Sequence, residues 1–181
     1  MKKRLLVLLA VVALLAAATV PAFADEETGV SCTVTPRKVS VTVDYPNIAY
    51  GVVSIPGNAG SPTAISAINN GTVTEDFNIR GADAKDGTDT TRWTLSPTAI
   101  GAETFMHEFG LPIVPGSSPT WPTVGEHNGW TPLSTGYQPL ATGMDSGTQT
   151  PFVLQIWTPS STAYYVPLTT IVTVQASMAT P

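Results

Sequence analysis

The chain has 181 residues, of which 43% are hydrophobic and only 12% are charged, and its formal net charge is −5. Its eight Lys and Arg residues form no basic cluster outside the first four positions, so the chain lacks the basic surface that nucleic-acid binding requires. The length suits one domain with a substantial core.

The N-terminus has the pattern of a bacterial signal peptide. Basic Lys2–Arg4 precede an unbroken apolar run, Leu5–Ala18, and Ala22–Ala24 supply a small-x-small cleavage site. The run is shorter than the roughly 20 residues of a membrane-spanning helix. We therefore predict a signal peptide over residues 1–24, no membrane span, and a single secreted domain over 25–181, with association with the cell surface left open.

Cys32 is the only cysteine, so an internal disulfide is excluded. A buried thiol at the edge of the first strand fits better than a lipidated N-terminus, because Gly29 stands where a lipidation site has an aliphatic residue. Pairing of Cys32 with another molecule stays open.

The remaining chain is rich in Thr, Ser, Val, Gly and Pro, which favours strands and turns over helices. Val39–Val43 and Ile171–Gln175 alternate apolar and polar residues, and Asn70-Gly71 separates two apolar runs as a hairpin turn does. We predict an all-β, two-sheet antiparallel Ig-like β-sandwich of eight or nine strands. The predicted strands lie near 39–43, 48–55, 63–69, 73–80, 91–95, 102–109, 130–134, 150–157 and 171–175.

The two ends differ in their expected pairing. Residues 169–177 should pair within their own domain. For residues 33–43 the sequence leaves two alternatives open, pairing within the domain or with a neighbouring molecule, because Pro36 restricts this segment to an edge or a strand start.

Asp83, Asp86 and Asp89 lie in one glycine-containing acidic stretch. Calcium prefers several hard oxygen ligands from a flexible loop, but this spacing differs from that of an EF-hand and Lys85 offsets part of the charge. We expect a solvated hairpin loop and no cofactor, with a calcium site as the alternative.

The two histidines each lie beside a glutamate, in His107-Glu108 and Glu126-His127. Imidazole and carboxylate groups can hold zinc or copper, but neighbours in a strand point to opposite faces and cannot easily share one ion. We expect these residues to be ordinary surface groups. No nucleophile motif accompanies them, so the sequence favours a protein that is not an enzyme.

Residues 110–129 contain four prolines and predict a long ordered loop. Trp121, Trp130 and Tyr137 lie in or near it. Aromatic faces can stack on sugars, yet a long loop also needs buried anchors, and we favour anchoring over glycan binding. Trp93 and Trp157 lie in predicted strands and are assigned to the core.

The order of turns and strands resembles a known group of proteins. It runs from Ala64–Thr72 through Val73–Ile79 and Trp93–Leu95 to Phe152–Ile156 and Thr158–Ser161, before the closing strand. This order is similar to that of Ig-like extracellular modules of the NEW3/CARDB type and, more distantly, to TasA/camelysin-like matrix-fibre proteins.

The resemblance implies an extracellular, non-catalytic Ig-like fold. The leading hypothesis is a secreted structural protein that self-associates into a surface layer, fibre or matrix, with itself or other cell-surface components as partners. The alternative is a module that binds glycan or another surface polymer through Trp121, Trp130 and Tyr137.

Overall fold

The computed structural model describes residues 33–113 and 120–180, so the predicted signal peptide and Cys32 lie outside the described residues. Within these ranges the chain forms eleven strands, and no helix there has the length and hydropathy that crossing a membrane requires. The strands are β1 (Val41–Val43), β2 (Asn58–Gly60), β3 (Ile65–Asn69), β4 (Glu75–Arg80), β5 (Ala84–Lys85), β6 (Thr91–Leu95), β7 (Thr104–Gly110), β8 (Trp130–Pro132), β9 (Gln138–Met144), β10 (Gln149–Trp157) and β11 (Thr173–Met178).

The strands form two sheets packed as a sandwich-like body, which confirms the predicted all-β, two-sheet class. The large sheet has the order β1-β3-β10-β7-β6-β5, with β2 also paired to β10 and β8 to β7. The small sheet has the order β11-β4-β9. The predicted count of eight or nine strands is low, because the two short strands β2 and β5 and the irregular strand β9 were not predicted.

One strand pair departs from the predicted antiparallel arrangement. Strands β6 and β7 run parallel, with Thr94 opposite Thr104 and Leu95 opposite Phe105. Between these two strands the chain reverses its direction twice. The second reversal is at Gly101, whose N–H donates to the Thr104 carbonyl at 3.0 Å, and β7 therefore runs in the same direction as β6.

The core lies between the two sheets and follows the period-two pattern of the strands. In β3 every second residue from Ile65 to Asn69 is buried, and in β4 every second residue from Glu75 to Ile79 is buried. Phe77 of the small sheet and Phe105 and Phe152 of the large sheet belong to one apolar cluster. Because each sheet supplies one apolar face, burial of these faces against each other stabilises the fold.

Asn70 and Gly71 do not form the predicted hairpin, because β3 and β4 belong to different sheets and the chain crosses between them here. The buried side chain of Asn69 holds this crossover. Its Oδ1 accepts a hydrogen bond from the Gly71 N–H at 2.7 Å, and its Nδ2 donates to the carbonyls of Val73 and Met144, both at 2.8 Å.

The crossover requires glycine at position 71 because neighbouring atoms lie very close to its Cα. A positive φ is not the reason, since Gly71 does not adopt one. An added Cβ would overlap the carboxylate of Glu75 and the carbonyl of Lys38. Glu75 is itself buried, and its Oε1 accepts a hydrogen bond from the Ser40 N–H at 2.8 Å. The crossover therefore ties the segment before β1 to the start of β4.

Two further strand predictions are wrong. Residues 48–55 form no strand, since Gly51 adopts a φ of 72° that interrupts any extended run. Strand β9 was not predicted, because Pro139 and Gly143 argue against a strand interior. Within residues 33–113 and 120–180 it pairs only with β4 and with an irregular register, and both residue types are tolerated at such an edge.

Both terminal strands pair within their own chain. β1 pairs with β3 at the edge of the large sheet, and β11 pairs with β4 at the edge of the small sheet. Within the part of the chain that the structure describes, each has a strand partner on one side only. The two edge strands lie close to each other but do not pair.

Candidate functional site

Strand β7 carries a buried histidine and a buried glutamate next to each other. His107 is 2% exposed and Glu108 is 1% exposed, so the expectation that they are surface groups is wrong. Neighbouring residues of a strand point to opposite faces. Here His107 faces the space between the sheets, where it contacts Tyr50 and Phe105, and Glu108 lies on the outer face, where it contacts His127.

A cavity of about 860 Å³ lies on the His107 side of β7. Inward side chains of the large sheet, such as Phe152 and Ile156, form one wall, and the irregular segments 45–55 and 164–172 form the other. Among the residues that the structure describes, the lining includes no Asp, Glu, Lys or Arg. The cavity is therefore an uncharged and mostly apolar space, with a volume within the range of small-molecule pockets.

Tyr50 and His107 form the polar pair of this cavity. The Tyr50 hydroxyl lies 2.7 Å from Nε2 of His107, and the two rings meet edge to face with centroids 5.7 Å apart. Burial raises the pKa of Tyr50 and lowers the pKa of His107 to about 4, so both groups are neutral at neutral pH. Within the described residues, Nδ1 of His107 has no hydrogen-bond partner.

Glu108 is held by three donors on the other face of β7. Its Oε2 accepts hydrogen bonds from Nε2 of Gln155 at 2.6 Å and from Nε1 of Trp157 at 2.8 Å. Its Oε1 lies 2.9 Å from Nδ1 of His127, whose ring stacks on Trp157 with centroids 4.5 Å apart. Trp157, assigned to the core from the sequence, thus lies half-buried on the outer face instead.

The same network fastens the long loop to the large sheet. Gln155 accepts a hydrogen bond from the Gly125 N–H at 3.0 Å and donates to the Glu126 carbonyl at 2.8 Å. Residues 120–129 contain no regular strand, as predicted for the described part of the loop; residues 114–119 lie outside it. The buried polar cluster therefore acts chiefly as an anchor for the loop.

Two of the three aromatic residues singled out from the sequence meet in one groove. Trp121 and Trp130 line a groove of about 220 Å³ together with Pro62 and Pro122. Trp130 is 7% exposed and donates from Nε1 to the Thr123 carbonyl at 3.0 Å, which is an anchoring role. Trp121 also lines the groove and is half-buried.

Tyr137 does not line this groove. It is 42% exposed, and the guanidinium of Arg80 lies over its ring, 4.6 Å from the centroid. This cation–π contact occupies one face of the ring. The structure therefore does not combine Tyr137 with Trp121 and Trp130 in one site.

The three aspartates are bound to separate partners. Asp83 accepts a hydrogen bond from the Leu95 N–H at 2.8 Å, and Asp89 pairs with Lys85 at 2.9 Å. Oδ1 of Asp86 accepts hydrogen bonds from the N–H groups of the two nearby threonines, at positions 88 and 90, and from the hydroxyl of the first. Its Oδ2 lies 2.7 Å from Nε of Arg92. Hydrogen bonds from the threonine hydroxyl and from Arg92 hold the pKa of Asp86 well below its usual range.

No three His, Cys, Asp or Glu side chains within residues 33–113 and 120–180 are close enough together to hold a metal ion. Calcium binding at the aspartates stays a prediction to which this geometry gives no support.

The sequence did not point to the Tyr50–His107 pair or to the cavity. Tyr50 was one residue of a predicted strand, and segments far apart in the chain close the space around it. The sequence drew attention only to Glu108 and His127, because each belongs to a pair of neighbouring histidine and glutamate residues.

No protein-family model matches the chain, and no curated protein matches it significantly.

Proposed function

We propose that this protein is a secreted, non-catalytic Ig-like subunit that associates with further copies of itself at the bacterial cell surface or in an extracellular matrix. The predicted signal peptide supports secretion, and the lack of a nucleophile motif supports the absence of catalysis. The small sandwich-like body with two one-sided edge strands supports the assembly.

The observation that carries the proposal is a set of exposed apolar side chains at the mouth of the cavity, here called the apolar rim. Its members are Tyr45, Val52, Tyr165 and Val166, which are 51%, 105%, 81% and 52% exposed. Single exposed apolar residues are ordinary, but a group of them around one opening is typical of an interaction surface.

The cavity that the apolar rim surrounds is also lined by both edge strands. Val43 of β1 and Val174 of β11 provide this part of the lining. A neighbouring chain that added a strand to one of these edges would gain backbone hydrogen bonds and bury the apolar rim at the same time. The two gains reinforce each other, which favours this side of the sandwich as the contact.

A segment of suitable pattern precedes β1. In residues 30–35, Val30, Cys32 and Val34 alternate with Ser and Thr, which is the pattern of a strand with one apolar face. We therefore take residues 30–35 of a second copy as the strand that occupies one of these two open edges.

The proposal is tested by placing charge on the apolar rim. The double variant Val52→Lys, Tyr165→Lys should be monomeric in light scattering at concentrations at which the wild type is associated. Ile113→Lys is the matched control, because Ile113 is 62% exposed but does not line the cavity, and it should associate as the wild type does. Association of the double variant at wild-type strength would refute the contact.

A second candidate function is binding of a glycan or another surface polymer. The groove lined by Trp121 and Trp130 favours it, because Trp121 is only half-buried and aromatic faces can stack on sugars. Trp121→Ala should then abolish retention on an insoluble cell-wall polysaccharide while the melting temperature stays within a few degrees of the wild type. Tyr137→Ala should leave retention unchanged, because Tyr137 lies outside the groove.

A further inference from the structure

The main polar side chains in the lining of the cavity of about 860 Å³ are bonded to the protein itself. The Tyr50 hydroxyl and Nε2 of His107 pair with each other at 2.7 Å. The hydroxyls of Thr158 and Thr170 donate to main-chain carbonyls at 2.7 Å and 2.6 Å. Because these groups already have partners, they offer little to water or to a polar ligand.

The body of the lining is hydrocarbon and aromatic. Trp93, Phe152 and Ile156 of the large sheet lie on one side, and Leu168 and Val172 lie on the other. No charged side chain among residues 33–113 and 120–180 lines the space. Water in such a space has few hydrogen-bond partners, so its replacement by an apolar molecule is favourable. An ion would lose its hydration there and would find no opposite charge.

The mouth of the cavity is apolar as well. The apolar rim consists of two tyrosines and two valines, all of which line the cavity and are more than half exposed. An alkyl chain could therefore extend from the inner lining to the mouth without meeting a charged side chain of the described residues. The cavity volume lies within the range of small-molecule pockets.

We propose that the cavity binds an uncharged molecule whose body is a single alkyl or acyl chain, selected by apolar contact and by the exclusion of charge. This site goes beyond the proposed assembly. Its test is run on the chain that begins at Asp25, at a concentration at which light scattering gives a monomer, so that failure of the site and failure of the assembly are seen separately.

The test displaces the neutral dye N-phenyl-1-naphthylamine, whose fluorescence rises in an apolar site. The competitors share one decyl chain: decanol is neutral, decanoate is anionic and decyltrimethylammonium is cationic. Decanol should displace the dye at concentrations about tenfold lower than either ion, because an ion loses hydration in an uncharged lining. Attraction to the acidic chain as a whole would favour the cation instead, and that order would overturn the proposal.

A second copy of the chain is the competing occupant of the cavity. Residues 30–35 alternate apolar and polar side chains, and a synthetic peptide of this sequence can be added as a further competitor. It should displace the dye more weakly than decanol does. Tighter displacement by the peptide than by decanol would assign the cavity to a second copy and overturn the proposal, as would the absence of saturable dye binding.

A larger side chain in the lining should block the site. Val174 of β11 lines the cavity, and Val174→Trp should weaken dye binding about tenfold because the indole fills part of the space. Gln175→Trp is the matched control, since Gln175 is the next residue of the same strand, is exposed and does not line the cavity. Equal dye binding by the two variants would overturn the proposal.

A fluorescence measurement covers the case in which Val174→Trp does not fold. Trp93 lines the cavity, and the other tryptophans of the chain do not. Decanol that carries bromine at the end of its chain should quench the tryptophan fluorescence of the wild type saturably. Trp93→Phe should lose most of this saturable quenching, and Trp157→Phe should keep it because Trp157 lies outside the cavity. Undiminished quenching in Trp93→Phe would place the bound molecule elsewhere and overturn the proposal.

Discussion

The hydroxyl of Tyr50 lies 2.7 Å from Nε2 of His107, and this contact joins an irregular segment to the central strand of the large sheet. Tyr50 belongs to residues 45–55, which form one wall of the cavity, and His107 belongs to β7. The hydrogen bond therefore holds the wall against the sheet. Burial keeps the imidazole of His107 neutral by lowering its pKa, which makes the stability of the fold dependent on pH.

The free energy of unfolding should fall as the pH is lowered from about 6.5 towards 4. An unfolded histidine has a pKa of 6.5, and desolvation lowers that of folded His107 to about 4, so in this window the unfolded chain binds a proton that the folded chain does not. The contribution is fully present above pH 6.5 and its loss reaches at most about 3 kcal/mol.

Urea unfolding measured at several pH values checks this dependence. His107→Leu should show a flatter curve than the wild type between pH 6.5 and 5, where carboxylates change little. The remaining ionisable groups are common to both proteins, so the difference between the curves isolates His107. Parallel curves would show that His107 is not buried as described.

Glu108→Ala should destabilise the protein by about 3 kcal/mol. The substitution removes the acceptor of Gln155 and Trp157 and the partner of His127, and Gln155 is fully buried. Urea unfolding measures the loss, and faster proteolysis within residues 120–129 should accompany it because the loop loses its anchor.

Glu126→Ala is the control for this variant, since Glu126 is exposed and takes part in the network through its backbone carbonyl only. It should unfold within about 0.5 kcal/mol of the wild type. Equal stability of the two variants would mean that the Glu108 network does not hold the loop.

Gly71→Ala should cost about 2 kcal/mol, because the new methyl group would overlap the Glu75 carboxylate and the Lys38 carbonyl at the crossover between the sheets. Gly87→Ala is the matched control, since a Cβ there would meet nothing within 4 Å. Thermal unfolding should separate the two variants clearly. A Gly71→Ala protein as stable as the control would contradict the close packing at the crossover.

Millimolar calcium should leave the melting temperature unchanged. Asp86 is already bound by Thr88, Thr90 and Arg92, and Asp89 by Lys85, so a calcium ion would have to displace existing partners. A ligand that binds the folded state raises its stability by mass action. A rise in melting temperature with calcium that disappears in Asp86→Asn would revive the calcium site.

The alternation of apolar and polar residues predicted the strands whose sequences alternate in this way. It failed where tertiary packing determines the path of the chain. Strand β6 has the predicted limits, 91–95, because its pattern has a clear period of two. Asn70-Gly71 has the composition of a hairpin turn, but the buried amide of Asn69 and the close approach at Gly71 produce a crossover between sheets instead.

The candidate sites were harder to predict for the same reason. The sequence favoured an anchoring role for Trp130, and in the structure this side chain is buried and donates a hydrogen bond to the Thr123 carbonyl. It gave no sign of the cavity, because residues 45–55 and 164–172 are separated by more than half of the domain and carry no shared motif. Long-range contacts of this kind leave no periodic signal in a single sequence.

Self-association through an open edge is the central claim, and size-exclusion chromatography with light scattering, followed by negative-stain microscopy, tests it most directly. The chain that begins at Asp25 should form large oligomers or filaments, and a chain that begins at Pro36, which keeps β1 but lacks residues 30–35, should elute as a monomer. A clean monomer for the chain from Asp25, at every concentration up to the solubility limit, would contradict the account and favour the polymer-binding module.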